Sequence, residues 1–452
     1  MRTETASPAD TSLRAVFAGR RGRLLTGLLL AEFAAAIQIV AYTGVLPVAT
    51  ADLGGTRLYG ATLASGAIST VAVLAAGRAP FQRLSARTTL LAATTLYVVG
   101  ILVSATAPAM IWVLAGSVLR GVASGVLAAF GLTAIGALYP DEMRARVLAL
   151  FAVAWLLPSL AGPTFNAVLT IVFGWRWAIA WPALIVLGAR LLVGRDADLV
   201  PWQGTATRPP RADGVLVVAG LVAASAAAAV PGWWGVALFT AGLLVACVAS
   251  CRLLAAAAPG ERRRSRTLLA FFGVCMACFS AMGLFSLLVM AGLGYGVVAG
   301  SIALGACLVA WSLTGLRPTG LDALVGDSTT VGVAMVAVSS LVVVVPLTGI
   351  VGGFAGLAVV ITGSFLNGLG MGLAYPRLSG QAMDTLPTER VGDIATAVAY
   401  AEMAATAAGY LLGGGVYSLA SHLGATPRAA IALPIVLSAV VGAATTAAAA
   451  RR

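Results

Sequence analysis

Two glutamates stand inside long apolar runs, Glu402 in AYAEMAA and Glu32 in LLAEFAA, and one arginine, Arg120, does the same. Charge at bilayer depth is costly and usually faces a cavity or a partner. A carboxyl withdrawn from water holds its proton more readily, so such a group can load and release a proton near neutral pH. Glu402, close to the middle of its run, is the first candidate for proton coupling. Glu32 is the second; it lies two turns inside its run, about 12 Å at 1.5 Å per residue. The alternative for Glu402 is a permanently protonated carboxyl bonded to a neighbouring helix, and Glu32 could instead reach the interface. Arg120 either positions substrate in a cavity or forms a structural ion pair with an acid. Gln38, Thr43, Asn166 and Asn367 are uncharged polar residues in apolar runs and candidates for lining that cavity. Thr43 follows Glu32 by eleven positions, about three helical turns, so the two share a face.

Other chemistries are poorly served. Cys275 and Cys278 form a C-x-x-C, but both lie in an apolar stretch, as do Cys247, Cys251 and Cys307; redox and zinc sites need polar, accessible surroundings. The single histidine, His422, lies in a short loop. All 28 basic residues are arginine, so the lysine of a phosphate-binding G-x-x-x-x-G-K-S/T loop cannot exist. No clustered acids or histidines suit intramembrane catalysis. No enzyme activity, cofactor or metal is expected. The net charge of +12 does not point to nucleic acid, because its distribution follows a membrane rule.

Of 452 residues, 60% are hydrophobic and 10% charged, far too little charge to cover a soluble domain. Runs of roughly 18 or more apolar residues mark membrane spans. Breaks at charges, prolines and glycines predict spans over 24–50, 58–77, 88–106, 109–138, 147–173, 177–194, 214–230, 233–256, 268–293, 296–315, 329–348, 351–375, 391–418 and 429–449. The first is too long for a signal-peptide core and reads as an uncleaved span. With the N-terminus in the cytoplasm, twenty-four arginines fall on the inside and three, Arg57, Arg176 and Arg428, on the outside. That bias places both termini in the cytoplasm. It does not separate fourteen spans from twelve with residues 214–256 as a hairpin beside the body. Trp233 and Trp234 at the hairpin turn suit a membrane interface.

The expected organisation is a cytoplasmic tail (1–23), a six-helix bundle (24–194), a linker (195–266) with two additional helices at about 214–230 and 233–256, and a second six-helix bundle (267–452). An internal repeat supports it. GALYP (Gly136–Pro140) ends the fourth span and GLAYP (Gly372–Pro376) the twelfth, each before a basic loop. Two similar bundles around a central cavity suit alternating access. The fifth span carries two helix breakers near its middle, Pro158 and Pro163, with Gly162 beside the second; each interior proline costs about 3 kcal/mol or more. They either let the helix bend in gating or set a static kink. The glycine pairs Gly121/Gly125, Gly368/Gly372 and Gly409/Gly413 have the spacing of close helix contacts.

Pro158-Ser-Leu-Ala-Gly162-Pro163 resembles the G-x-x-x-G-P signature in the fifth helix of proton-driven antiporters of the major facilitator superfamily, with proline for the first glycine. GWRW (Gly174–Trp177), TGVLPVATADLGG (Thr43–Gly55), LRGVASG (Leu119–Gly125) and NGLGMGLAYP (Asn367–Pro376) extend the likeness over nearly the whole chain. The fourteen-span count is similar to the second drug:proton antiporter subgroup. The resemblance implies an all-α fold of two six-helix bundles with two extra central helices, and a gating role for the kink. Three positions depart from the pattern. Gly77–Thr89 has Phe81 or Gln82 where the family has an acid, Ser117 takes the place of the fourth-helix arginine with Arg120 one turn on, and Gln38 replaces the first-helix aspartate.

The expected function is export of small, lipophilic or drug-like molecules in exchange for protons, by a monomer in a bacterial plasma membrane. Its partners are a small-molecule substrate, protons and the bilayer. An uptake carrier or uniporter of the same fold is the runner-up.

Overall fold

The computed structural model describes residues 16–76, 84–139, 141–201, 212–315, 327–384 and 388–450. The second-to-third-span loop residues Phe81 and Gln82, and Pro140 of the first repeat motif, lie outside them. All regular structure in the described residues is helical. The helices are α1 (Gly19–Leu53), α2 (Tyr59–Ala76), α3 (Ala86–Ala105), α4 (Met110–Leu138), α5 (Asp141–Phe173), α6 (Trp175–Arg195), α7 (Ala212–Ala229), α8 (Trp233–Ala257), α9 (Arg262–Gly292), α10 (Val297–Gly315), α11 (Ser328–Thr348), α12 (Gly353–Met383), α13 and α14 (Pro427–Ala449). α13 runs over Thr388–Tyr410 and continues through a π turn, Leu411–Gly415, into Val416–His422. Thirteen helices among the described residues are long and apolar enough to cross a membrane; α13, which carries Glu402, is the fourteenth helix. The chain is a multi-pass membrane protein.

α1 shows how sequence sets an element. Its 35 residues span about 52 Å at 1.5 Å each, against a hydrocarbon core of about 30 Å, so its ends must leave the apolar layer. The outer end stops at Gly54, whose left-handed backbone (φ 63°) returns its N–H to the Thr50 carbonyl, a conformation glycine adopts without steric cost. The other end corrects the expected tail boundary: Gly19–Arg23 is helix, not tail. There Arg20 and Arg23 both bind Asp196, at 2.7 and 3.0 Å, and Arg20 also binds Asp198 at 2.8 Å. Those guanidiniums hold the carboxyls of Asp196 and Asp198 below the usual carboxylate range.

Helix packing repeats. In the first six helices α1 packs on α5 and α6, α4 on α2 and α3, and α3 on α6; in α9–α14 the same partners recur as α9 on α13 and α14, α12 on α10 and α11, and α11 on α14. The two bundles meet where α5 packs on α10 and α2 on α13, contacts that the repeat interchanges. All three glycine pairs sit in tight crossings. Gly121 lies against the backbone of Gly66, Gly125 against Val73, Gly368 against Cys307, Gly372 against Thr314, Gly409 against Met276 and Gly413 against Ser280. A methyl group at these positions would collide, which is the packing reason for small residues at helix crossings.

α7 and α8 pair along Gly220 and Gly242. α7 rests on α2, and α8 on α9 and α13. Trp233 and Trp234 at their turn are each 77% exposed.

The prolines of α5 do not break it: the helix is continuous from Asp141 to Phe173. Two irregularities that hydropathy did not signal fall elsewhere. α9 turns out of helix at Gly283 and Leu284 and ends in a π turn, Leu288–Gly292, and α13 carries its π turn at Leu411–Gly415.

Candidate functional site

Each bundle presents one carboxyl, and both are held in the same manner. Glu32 of α1 is half-buried and accepts a hydrogen bond from the indole N–H of Trp155 on α5, at 2.8 Å. Glu402 of α13 is half-buried and accepts one from the phenol of Tyr375 on α12, also at 2.8 Å. Each donor is a neutral aromatic, and among the described residues neither carboxyl has an ion-pair partner. The two are within electrostatic reach of each other, and Glu32 also reaches Tyr375.

Tyr375 is the tyrosine of the second repeat motif. Its ring packs against Phe271 of α9 (centroids 5.0 Å apart) and Trp311 of α10 (5.7 Å). Trp311 in turn meets Phe279 of α9 at 5.9 Å, and Phe279 meets Tyr410 of α13 at 5.9 Å. These tilted and edge-on geometries are the ones that the aromatic quadrupole favours.

Arg120 is 7% exposed, and its guanidinium carbon lies 3.9 Å from the centroid of the Tyr42 ring on α1. That ring is fixed by its hydroxyl, which donates to the Val113 carbonyl at 2.9 Å. Among the described residues Arg120 forms no ion pair, and its Nε has no hydrogen-bond partner. An aromatic face, not an acid, therefore holds this charge within the first bundle, as a cation–π contact can.

The four uncharged candidates divide. Asn367 is fully buried and fully engaged: it accepts from the Cys278 thiol at 3.0 Å and donates to Ser339 Oγ at 3.1 Å, with Cys307 at 3.7 Å. It ties α9, α10, α11 and α12 together as a packing junction. Thr43 donates to Ile39 on its own helix at 2.9 Å and lies beside the Tyr410 hydroxyl of the other bundle. Asn166 accepts from the Trp181 indole at 3.1 Å while its Nδ2 has no partner. Gln38 is 2% exposed with both amide atoms unpartnered; such burial costs a few kcal/mol.

On α5, Pro158, Ser159, Gly162, Pro163 and Asn166 are buried, while Leu157, Leu160 and Phe165 are exposed. Gly162 faces Val40 of α1 and Pro163 faces Gly305 of α10. The breakers thus stand on the inner face, at the crossing between bundles. A second junction lies at the far ends of α2 and α13. The Tyr59 hydroxyl donates to the Gly283 carbonyl at 2.8 Å, the Gly60 N–H to Ser418 Oγ at 3.1 Å, and Ser418 to the Thr56 carbonyl at 3.0 Å. Gly283 is the point at which α9 leaves the helix.

Sequence reasoning did not single out Trp155, Tyr42, Trp311 or the aromatic row. Two signals were present: Trp155 precedes the Pro158 motif by three residues, and Tyr375 is part of the repeated G-x-x-Y-P.

Two helical bundles repeating one packing pattern, with a carboxyl of each across their junction, have the architecture of a secondary carrier. The sequence profile of the Major Facilitator Superfamily matches residues 28–410, and the chain belongs to that family of membrane transporters; it is not an enzyme. Its fold is similar to a POT family transporter solved with 5-aminolevulinic acid (TM-score 0.66, 14% identity, 93% of this chain and 94% of that one). It is also similar to a POT peptide transporter solved with sulfate (TM-score 0.67, 16% identity, 96% of each chain). In sequence, 148 residues are 30% identical to a protein named "Probable multidrug-efflux transporter" in two strains of Mycobacterium tuberculosis. That match spans 33% of this chain and 31% of each relative.

Proposed function

We propose that this transporter exports small, lipophilic or drug-like molecules in exchange for protons, by alternating access between bundles at 24–194 and 267–452. In this reading the linker 195–266 adds two helices to the body, both termini are cytoplasmic, and the protein works as a monomer. The observation that carries it is the pair Glu32 and Glu402. Each is half-buried, each is bonded to a neutral donor, and the two sense each other across the bundle junction. An acid without a cationic partner is free to exchange a proton with whatever reaches it. The two residues are the coupling groups, Glu402 first, and Arg120, Gln38, Thr43 and Asn166 belong to the walls around them. Pro158, Gly162 and Pro163 let α5 bend against α10. The partial likeness to multidrug-efflux relatives supports the outward direction.

The hydrogen bonds around Tyr59, Gly60 and Ser418 tie the end that the arginine bias places outside. Substrate would then load from the cytoplasm when that end is shut.

The test is efflux from everted vesicles energised by an imposed pH gradient. Glu402→Gln is expected to abolish gradient-driven efflux while leaving the protein in the membrane. Undiminished, pH-dependent efflux by that variant would remove Glu402 from the mechanism. Counter-flow in proteoliposomes separates export from a carrier that takes no part in proton exchange.

A further inference from the structure

We propose that the turn between α8 and α9 holds the headgroup of an anionic phospholipid. A cavity of about 590 Å³ opens there, lined by Ala255 and Ala258 of α8, Glu261 of the turn, and Arg262, Ser265 and Arg266 of α9. Its depth follows from α8. Trp233 and Trp234, both exposed, belong at one membrane interface, and Ala255 lies about 33 Å further along the helix at 1.5 Å per residue. The hydrocarbon core is about 30 Å thick, so the cavity sits at headgroup level on the opposite side. From Ala255 an exposed stripe runs back along α8 through Cys251, Val248 and Leu244. Those positions recur every three or four residues and share one helix face, along which an acyl chain can lie.

The charges select the kind of lipid. ERRRSR (Glu261–Arg266) puts four arginines within five residues, and the fold divides them. Arg264 is buried and points inward, donating to the carbonyls of Ala382 at 2.9 Å and Asp384 at 2.8 Å, at the end of α12. That anchor fixes the rotation of α9. Arg262 and Arg266, four positions apart and so on one face, then stand together at the cavity, both exposed. Arg263 is exposed as well, and so is Arg252, one turn before Ala255 on α8. Glu261, the acid in the wall, is engaged by Arg264 and by Arg390 of α13, the latter at 2.6 Å. Among the described residues Arg252, Arg262 and Arg263 form no ion pair. Positive charge in the first turn of a helix opposes its dipole, so these arginines do not serve α9 itself. The inside bias asks only that arginines lie on one side of the membrane; it does not set two of them around a cavity. Basic pockets between membrane helices attract anionic headgroups. A phosphatidylcholine would bring its own ammonium against the same arginines.

The experiment is lipid titration of the purified full chain in detergent, with bound lipid counted by native mass spectrometry. Dioleoyl-phosphatidylglycerol and dioleoyl-phosphatidylcholine are titrated separately. Wild type is expected to bind its first phosphatidylglycerol roughly tenfold more tightly than phosphatidylcholine. Arg262→Gln combined with Arg266→Gln should cut that preference about fivefold or more, with phosphatidylcholine binding changed by less than about twofold. The phosphatidylcholine arm also shows that the variant is folded. Arg57→Gln combined with Arg428→Gln removes the same charge at the Trp233 end of the molecule and should leave the preference intact. Equal wild-type affinities for the two lipids would overturn the site. So would equal losses in the two double variants, since the attraction would then be a property of net charge alone. Displacement of the lipid by free glycerol 1-phosphate at the same concentration would also overturn it, because a soluble anion would then suffice. No gradient or transport enters the measurement, so its outcome is independent of the exchange mechanism.

Discussion

Tyr139 and Tyr375 occupy the same place in the two G-x-x-Y-P repeats, yet the molecule uses them differently. In the first bundle the Tyr139 hydroxyl donates toward the Val16 and Arg21 carbonyls, both at 3.2 Å, and Arg21 stacks on its ring at 5.0 Å. It secures the start of α1. In the second bundle the Tyr375 hydroxyl donates to Glu402, and its ring sits in an aromatic row. The difference lies in the partners. α1 begins with arginines and backbone at that level, whereas α13 brings a carboxyl. A repeat thus fixes where a side chain stands, and its neighbours decide what it does. The acids extend the comparison: Glu32 and Glu402 are held alike, one by an indole and one by a phenol.

The largest effects are expected at the two acids. Glu402→Gln is expected to lower gradient-driven efflux at least a hundredfold, and Glu32→Gln about tenfold, because the second lies further toward the end of its helix. Equal effects would mean that the bundles share the proton evenly; transport measured side by side in everted vesicles decides.

Tyr375→Phe comes next. Its hydroxyl donates to the Glu402 carboxyl, so losing that bond should slow efflux about tenfold and alter its pH profile. Tyr139→Phe should behave in the opposite way, losing about 1 kcal/mol of stability with transport intact. If both substitutions affect transport equally, the division of labour between the two tyrosines is wrong.

Overpacking a helix crossing should act on stability and not on transport chemistry. Gly368→Ala places a methyl against the Cys307 backbone and should cost about 1–3 kcal/mol, read as a lower unfolding midpoint in detergent. Gly131→Ala, with open space at the site, is the control and should leave the midpoint unchanged.

The smallest effect is expected at the α1–α6 clamp. Arg20 and Arg23 depress the carboxyl of Asp196 in the folded protein. Its contribution to stability is therefore present above the unfolded carboxyl value, about 3.9, and is lost as pH falls through the lower folded value. Asp196→Asn should lower stability by no more than about 1 kcal/mol at neutral pH. The difference from wild type should shrink in thermal melts as pH falls through that lowered folded value. A gap that persists there would mean that Asp196 acts through packing, not charge.

Much of the fold was legible in the chain. Runs of apolar residues marked most of the helices to within a few positions. The twin tyrosine motifs indicated two bundles. Glu32 and Glu402 stood out because an acid among alanines and leucines has no cheap explanation in a membrane. The break at Gly283 and the π turn at Leu411–Gly415 were not legible, since hydropathy does not register a shift of one residue in a helical ladder. Asn367 read as a cavity residue from type and depth alone. Two thiols and a serine from three other helices engage it, and none is near it in sequence.

The chain by itself determined that this protein is helical, membrane-spanning and built twice over, and that two acids lie at depth. Those properties depend on residue type and local spacing, because the energetic cost of exposing backbone or burying charge in lipid is set residue by residue. Only the tertiary structure decided what those acids meet: an indole for Glu32, a phenol and a row of rings for Glu402. It also decided that Arg120 would rest on an aromatic face. Side chains separated by tens to hundreds of positions become neighbours only once helices cross, and the height and rotation of each crossing are settled by glycine contacts and aromatic packing acting together.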